Sequence, residues 1–199
     1  FAIRRQRQMC IRDRITSPLY DGENFEVLSE TQREGHMNTF IKNQDGKIIA
    51  NAESKILENI SSKPKYRGDL LIQEDFKAPV ASFDEWNKLK KEGCKAFKFH
   101  WSGDNPLIYL SDEKKLPLIL QPSESGYANL SFLLGCANWI LAGNAFMNPW
   151  VHLQTKSQNY RAVSLGTTLI AEMSVIDFYE KKGHEFTEVE VNLFEEKSK

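Results

Sequence analysis

A long stretch without charged side chains places the strongest limit on how this chain can fold. From Ser125 to Thr155 there is no Asp, Glu, Lys or Arg, and that length would allow a transmembrane helix. Amides buried in hydrocarbon without partners are costly, however, and polar or helix-breaking residues interrupt the stretch throughout: Asn129, Ser131, Gly135, Asn138, Gly143, Asn144, Asn148 and Pro149. We therefore expect no membrane span, and predict a helix from about Ser125 to Asn144, buried inside a soluble domain.

Charge and cysteine content exclude several other classes of protein. Lys+Arg is 26 and Asp+Glu is 27, which gives a formal net charge of -1 and no electrostatic footprint for nucleic acid or an anionic membrane. Cys10, Cys94 and Cys136 are odd in number and far apart, unlike a disulfide framework or a zinc site. No glycine loop that would cradle a phosphate is present. We expect a reduced, cytoplasmic protein with no metal and no cofactor.

The first 14 residues, FAIRRQRQMCIRDR, are basic and have no clear period. A basic arm for nucleic acid is one interpretation. The string QMCIRDR resembles a translated sequencing adapter, so we interpret residues 1–14 as a non-native tail and leave them out of the prediction of the fold.

Residues 15–58 have the pattern of an antiparallel meander. Alternating segments at 24–28 and 37–41 precede Asp45-Gly46, which is a strong hairpin signal because its tight turn needs positive φ. Three strands without a helix cannot bury a two-sided core, so this piece needs a partner or ends a larger domain. Residues 59–68 read as a polar linker.

Residues 69–199 have the pattern of an α+β domain. Ser82 and Glu85 form a capping box for a helix from Ala81 to Lys91, and alternation predicts a strand from Lys95 to Trp101. After the apolar helix, strands are predicted at about 150–163, 167–179 and 185–194. Another hairpin turn is expected where the sequence stops, so we expect a domain truncated before its last strand. Four aromatic residues are predicted core residues: Tyr127, Phe132, Trp139 and Phe146.

Three motifs around the apolar helix resemble the MaoC-like group of hot-dog-fold acyl-thioester dehydratases. Residues 161–169 (RAVSLGTTL) look like the turn between the first two strands after the hot-dog helix, with Thr167 at the family's acidic position. Residues 102–109 (SGDNPLIY) are similar to the (R)-specific enoyl-CoA hydratase motif. Residues 148–153 and 177–184 resemble a subgroup with two fused hot-dog units. The resemblance implies a long apolar central helix wrapped by a curled antiparallel sheet, preceded by the last strands of a first hot-dog unit in residues 15–58.

The same resemblance implies a hydro-lyase that adds water to an enoyl thioester or removes it from a (3R)-hydroxyacyl thioester. Asp104 would orient the water, Asn105 would position it, and Tyr109 or His152 would replace the family's histidine. An alignment without gaps puts Gly103 and Ile108 at the two motif positions. One gap brings Asp104 to the aspartate position, and one inserted residue brings Tyr109 to the histidine position. The alternative for Asp104-Asn105-Pro106 is a plain turn, and for His152 a strand histidine bonded to a neighbour. The resemblance also implies three substrate-binding residues, Gly126, Tyr127 and Trp150.

Two other functions stay open at this point. The chain is alternatively a non-catalytic hot-dog half that shapes an acyl pocket or a dimer-like interface, which the missing histidine favours. A thioesterase would need a carboxylate on the helix, and none lies between Ser125 and Thr155. The expected partners are an acyl-CoA or acyl carrier protein thioester and a second hot-dog unit, in the same chain or in a homodimer.

Overall fold

The computed structural model describes residues 9–57, 62–102 and 126–196. The chain divides into two compact units, one formed by Phe1–Lys63 with Pro149–Ala162 and the other by Pro64–Asn148 with Val163–Lys199. Both contain antiparallel sheets, and the second also contains two helices, so the predicted α+β class is confirmed. Among the described residues no helix combines the length and apolarity that a membrane crossing requires.

The first unit contains a five-stranded sheet. Its strands are β1 (Met9–Ile15), β2 (Phe25–Arg33), β3 (His36–Asn43), β4 (Ile48–Ile56) and β6 (Gln154–Asn159), in the order β2-β3-β4-β1-β6, with every neighbouring pair antiparallel. The hairpin predicted at Asp45-Gly46 joins β3 to β4. Gly46 has φ +77, and the Asn43 side chain accepts hydrogen bonds from the backbone N–H groups of Asp45 and Lys47.

β1 includes residues 9–14, which the prediction of the fold left out. Met9–Ile15 lies between β4 and β6 and pairs with both, with Arg12 opposite Glu53 on one side and Lys156 on the other. A strand can form here because alternate residues of the segment, Ile11 and Ile15 among them, lie on one face. The non-native origin of the segment stays a prediction.

β6 also differs from the prediction. The predicted strand from Trp150 to Val163 is shorter, Gln154–Asn159, and it belongs to the first unit's sheet, whereas the sequence placed it with residues 69–199. The Ile15 N–H donates to the Leu153 carbonyl at 2.8 Å, and the Thr155 N–H donates to the Asp13 carboxylate at 2.6 Å. These long-range bonds fix where β6 begins, and local sequence does not encode them.

The second unit contains α1 (Phe83–Glu92), β5 (Phe97–His100), α2 (Leu130–Asn144), β7 (Thr168–Lys181) and β8 (His184–Glu195). Its three-stranded antiparallel sheet has the order β5-β7-β8. α1 agrees with the predicted capping box at its start, since the Ser82 hydroxyl accepts the Glu85 N–H at 3.2 Å. Trp86 from α1 is buried in the same cluster as Met173 of β7, so α1 packs on this sheet.

α2 begins five residues later than predicted. Asn129 is the N-cap, with its side-chain oxygen accepting the Phe132 N–H at 2.8 Å, and residues 126–129 precede the helix without regular structure. One face of α2 is buried on the sheet: Phe132, Cys136, Ile140, Leu141 and Asn144.

In the described residues, α2 is not enclosed by a curled sheet, because part of its surface is exposed. Trp139 is 37% exposed and Ala142 is also exposed. Of the predicted core aromatic residues, Phe132 is buried and Tyr127 half-buried, whereas Phe146 is 53% exposed. Phe146 follows the end of α2 and forms a backbone bridge with Val80, which leaves its side chain at the surface.

Two fully buried polar side chains fasten loops to this framework. Asn144 at the end of α2 accepts the Lys95 N–H at 2.7 Å and donates to the Lys95 and Ile140 carbonyls at 3.0 Å. The Glu172 carboxylate, in the middle of β7, accepts the backbone N–H groups of Arg67, Gly68 and Asp69 at 2.9, 2.6 and 2.9 Å. These bonds satisfy groups that would otherwise be costly to bury.

Candidate functional site

The start of α2 is held from two sides. Gly126 has φ +75, and its carbonyl accepts the Trp101 Nε1–H at 2.8 Å. The Ala128 N–H donates to the Val163 carbonyl at 2.8 Å. The N–H groups of Leu130 and Ser131, in the first turn, have no acceptor inside the helix. Helix N-termini favour negative charge, so this end of α2 can bind a carbonyl oxygen on which charge develops.

The end of β5 lies against the start of α2. Trp101 directly follows β5, is 1% exposed, and its ring centroid lies 4.8 Å from that of Phe132 in the first turn of α2. The Trp101 N–H donates to the Thr167 carbonyl at 3.0 Å, and the Gly166 N–H donates to the Trp101 carbonyl at 2.8 Å. Three parts of the sequence therefore meet here: the end of β5, the turn before β7, and the start of α2.

The predicted site residues fall into three groups. Asp104, Asn105 and Tyr109 lie outside the described residues. Gly126 and Tyr127 are half-buried in the second unit, immediately before α2. Trp150 and His152 belong to the first unit, and the structure brings these two together, with ring centroids 6.3 Å apart.

His152 precedes β6 and does not lie within a strand. Its Nε2 is 2.5 Å from the Thr155 Oγ1, and the Thr155 backbone N–H donates to the Asp13 carboxylate. Thr155 is therefore the neighbour that the alternative interpretation of His152, a histidine bonded to a nearby residue, requires. The bond to Thr155 fixes the orientation of the ring, which a proton-transfer group also requires.

The buried cysteines are unsuited to nucleophilic chemistry. Burial raises the pKa of the Cys136 thiol to about 12, and Cys136 is fully buried on the face of α2 that packs on the sheet. Burial also raises the pKa of the Cys94 thiol to about 11. A thiol with such a pKa carries almost no thiolate at neutral pH.

Two residues with specific polar contacts were not found from the sequence. Glu172 is a single carboxylate inside the otherwise uncharged run of residues 167–176, and that isolation was a usable signal. Thr155 gave no signal, because its contacts with His152 and Asp13 depend on how β6 pairs with β1. Within the parts of the chain that the structure describes, no group of three or more His, Cys, Asp and Glu side chains is placed to hold a metal.

Comparison with known proteins finds similarity among solved structures. No protein-family model matches the sequence, and no curated protein matches it. Among solved structures, the chain is similar to the crystal structure of a MaoC-like dehydratase from Phytophthora capsici, with a TM-score of 0.37 and 15% sequence identity. The similarity covers 92% of this chain and 64% of that chain.

Proposed function

We propose that this chain is a hot-dog protein of the MaoC-like kind, which binds acyl thioesters and interconverts enoyl and (3R)-hydroxyacyl thioesters. The observation that carries the proposal is the contact between Trp101, at the end of β5, and the start of α2. Motif residues 102–109 follow Trp101 directly in the sequence. An apolar helix packed on an antiparallel sheet, with that motif beginning beside the helix start, is the arrangement that the motif resemblance implies.

Covalent geometry supports Asp104 as the residue that orients water. One residue, Gly103, separates Asp104 from Ser102, and two trans peptides span at most about 7.6 Å between Cα atoms. Asn105 would position the same water. The first-turn N–H groups of Leu130 and Ser131 would hold the thioester oxygen and stabilise charge that develops on it.

The proposed reaction is acid–base catalysis without a covalent intermediate. The Asp104 carboxylate takes a proton from water, the water oxygen bonds to C3 of the enoyl group, and an acid delivers a proton to C2. The reverse sequence removes water. Tyr109 and His152 are the two candidates for the second proton-transfer group, and separate variants distinguish them.

Hydration of a trans-2-enoyl-CoA tests the proposal. We expect formation of the (3R)-hydroxyacyl-CoA, and Asp104→Asn lowers kcat by about a hundredfold or more. Asp112→Asn is the matched control, because it removes the other aspartate of the segment between Trp101 and Gly126 and lies outside the motif. Between Tyr109→Phe and His152→Gln, the variant that lowers kcat identifies the second group.

Two results would contradict the enzymatic proposal. Saturable binding of acyl-CoA without turnover would make the chain a non-catalytic binding half. No binding and no turnover would remove the acyl-thioester assignment. As further parts of the proposal, we place the protein in the cytoplasm, and its partner is a second hot-dog unit in the same chain or in a homodimer.

A further inference from the structure

Residues 66–71 lie against the second unit's sheet without forming a helix or strand of their own, apart from an isolated bridge between Leu71 and Ala96. Three large apolar side chains of this segment are exposed: Tyr66, Leu70 and Leu71. The Tyr66 ring meets the Phe194 ring edge-on, with centroids 5.3 Å apart. We call this segment the strap. Because its large side chains face solvent, the burial of apolar surface contributes little to holding it in place.

A single carboxylate holds the middle of the strap. Glu172 of β7 is fully buried, and its Oε2 accepts the Arg67 N–H at 2.9 Å. Its Oε1 accepts the N–H groups of Gly68 and Asp69 at 2.6 and 2.9 Å. Successive N–H groups that converge in this way form a nest, a backbone concavity that binds anions, and Gly68 supplies a positive φ of +81. The attachment of the strap is therefore concentrated on one charged side chain.

The other attachments of the strap are also hydrogen bonds. The Ala96 N–H donates to the Leu70 carbonyl and the Ile72 N–H donates to the Ala96 carbonyl, both at 2.8 Å. The Arg67 guanidinium donates to the Met173 carbonyl at 3.0 Å. Segments that bury little apolar surface and depend on a few hydrogen bonds are those that open locally, at a lower free energy than the whole domain requires.

The strap lies beside the buried thiol of Cys94. Cys94 is 6% exposed and precedes Ala96, the bridge partner of the strap, by two residues. Burial raises the pKa of the Cys94 thiol to about 11, and the two charged side chains of the strap act on it in opposite directions, since Asp69 raises it and Arg67 lowers it. Both side chains are therefore close to the thiol, and removal of the strap uncovers it.

We propose that the strap opens as one unit while the helices and the sheet of the second unit stay folded, that Glu172 is its latch, and that opening exposes Cys94 to solvent. Cys94 is then a thiol whose accessibility depends on the strap: it is inert when the strap is closed and reacts with small electrophiles when the strap is open. The inference does not depend on the proposed enzymatic function, because it rests on the contacts of residues 66–71.

Alkylation of the full chain by iodoacetamide in native buffer, with the modified cysteines identified by mass spectrometry, tests the opening. Cys136 is the internal reference, because it is fully buried on the face of α2 that packs on the sheet. We expect Cys94 to react at least about tenfold faster than Cys136. Low concentrations of urea are expected to accelerate the reaction of Cys136 steeply and that of Cys94 little, since urea favours a state in proportion to the surface that the state exposes.

Two variants weaken the closed strap in different ways. Glu172→Gln removes the charge from the latch and replaces one acceptor by a donor, and we expect Cys94 to react about ten- to a hundredfold faster. Gly68→Ala leaves the latch intact but puts a Cβ at a positive φ, and we expect an acceleration of Cys94 of about tenfold. Gly183→Ala is the matched control, because Gly183 has φ +74 and, like Gly68, open space around its Cβ position, and it lies in the turn between β7 and β8. It strains the fold outside the strap, so it is expected to accelerate Cys136 and to leave Cys94 unchanged.

Three outcomes would overturn the proposal. The first is that Cys94 and Cys136 react at equal rates with the same dependence on urea, which would mean that Cys94 is reached through unfolding of the whole unit. The second is that Glu172→Gln and Gly68→Ala both leave the rate of Cys94 unchanged. The third is that Gly183→Ala accelerates Cys94 as much as Gly68→Ala does.

Discussion

Gly143 of α2 lies directly against the ring of Phe97 in β5. A Cβ added at Gly143 would meet the Phe97 Cζ at 2.2 Å and Cε1 at 2.6 Å, distances that real Cβ atoms do not show. The glycine therefore sets how closely the helix approaches the sheet. A helix-interior glycine is intrinsically unfavourable by about 1 kcal/mol relative to alanine, so close packing is the reason for its presence here.

Gly143→Ala is expected to destabilise the protein in spite of its better helix propensity. Displacing the Phe97 ring overpacks the interface, which typically lowers the free energy of unfolding by about 1–3 kcal/mol. Gly135→Ala is the matched control in the same helix, because its Cβ would meet Trp139, a partly exposed side chain, at 3.3 Å. Chemical denaturation of both variants is the measurement. An equal gain in stability for the two alanines would contradict the packing of α2 on β5.

Glu172→Leu is expected to be among the more destabilising single substitutions. It removes the carboxylate that accepts the N–H groups of Arg67, Gly68 and Asp69, and a hydrogen bond to a charged group typically contributes about 1.5–3 kcal/mol. We expect a loss of about 2–4 kcal/mol in urea denaturation, together with faster amide exchange at residues 67–69. Glu190→Leu, on the exposed face of β8, is expected to change stability by less than about 0.5 kcal/mol. Equal effects of the two substitutions would mean that the Glu172 bonds do not hold this segment.

Stability is expected to fall at alkaline pH because of the two buried thiols. Their pKa values are raised by burial from 9.0 to about 11 for Cys94 and about 12 for Cys136. Below pH 9 both states hold neutral thiols and this contribution is fully present. As the pH rises from 9 towards 11 and 12, the unfolded chain ionises its thiols first, and the free energy of unfolding decreases.

A variant with both Cys94→Ala and Cys136→Ala isolates the effect of these thiols. Its stability at neutral pH is lower, but its decline between pH 9 and pH 11 is expected to be shallower than that of the parent chain. Urea denaturation across that range measures both slopes. Equal slopes for the two proteins would contradict the attribution of this loss of stability to the two buried thiols.

Trp101→Phe is expected to weaken acyl-thioester binding more than it changes the fold. The variant keeps an aromatic ring against Phe132 and removes the Nε1–H that holds the Gly126 carbonyl, so the segment before α2 loses one anchor. We expect several-fold weaker binding of an acyl-CoA, measured by calorimetry. Trp139→Phe, at a partly exposed position of α2, is the control. Equal losses for both variants would mean that the weaker binding does not come from this hydrogen bond.

Local signals in the sequence were sufficient for α1 and for the hairpin at Gly46. Ser82 and Glu85 encode the helix start through bonds within four residues, and Asp45-Gly46 encodes the turn through its positive φ. The apolar character of α2 was also readable, although its start was not, because Asn129 competes as a cap with residues further upstream.

Pairing between strands that are far apart in the chain explains the parts of the fold that the sequence did not predict. β1 and β6 are far apart in the chain, and their pairing decides that residues 9–15 form a strand and that β6 joins the first unit's sheet. The bond from the Thr155 backbone N–H to the Asp13 carboxylate likewise joins residues that are far apart in the chain. For the candidate site, the sequence supplied residue types near α2, whereas the contact of Trp101 with Gly126 required the fold.

The most direct test of the acyl-thioester site is a titration of the full chain with a non-reactive saturated acyl-CoA, followed by backbone amide NMR. The account predicts saturable shifts at Gly126, Leu130 and Ser131, at the start of α2. It also predicts weaker binding for Leu130→Pro, which removes the Leu130 N–H at a helical position that tolerates proline, while the sheet of β5, β7 and β8 keeps its own signals. Shifts that are absent at saturating acyl-CoA, or that appear only at residues distant from the start of α2, would contradict it.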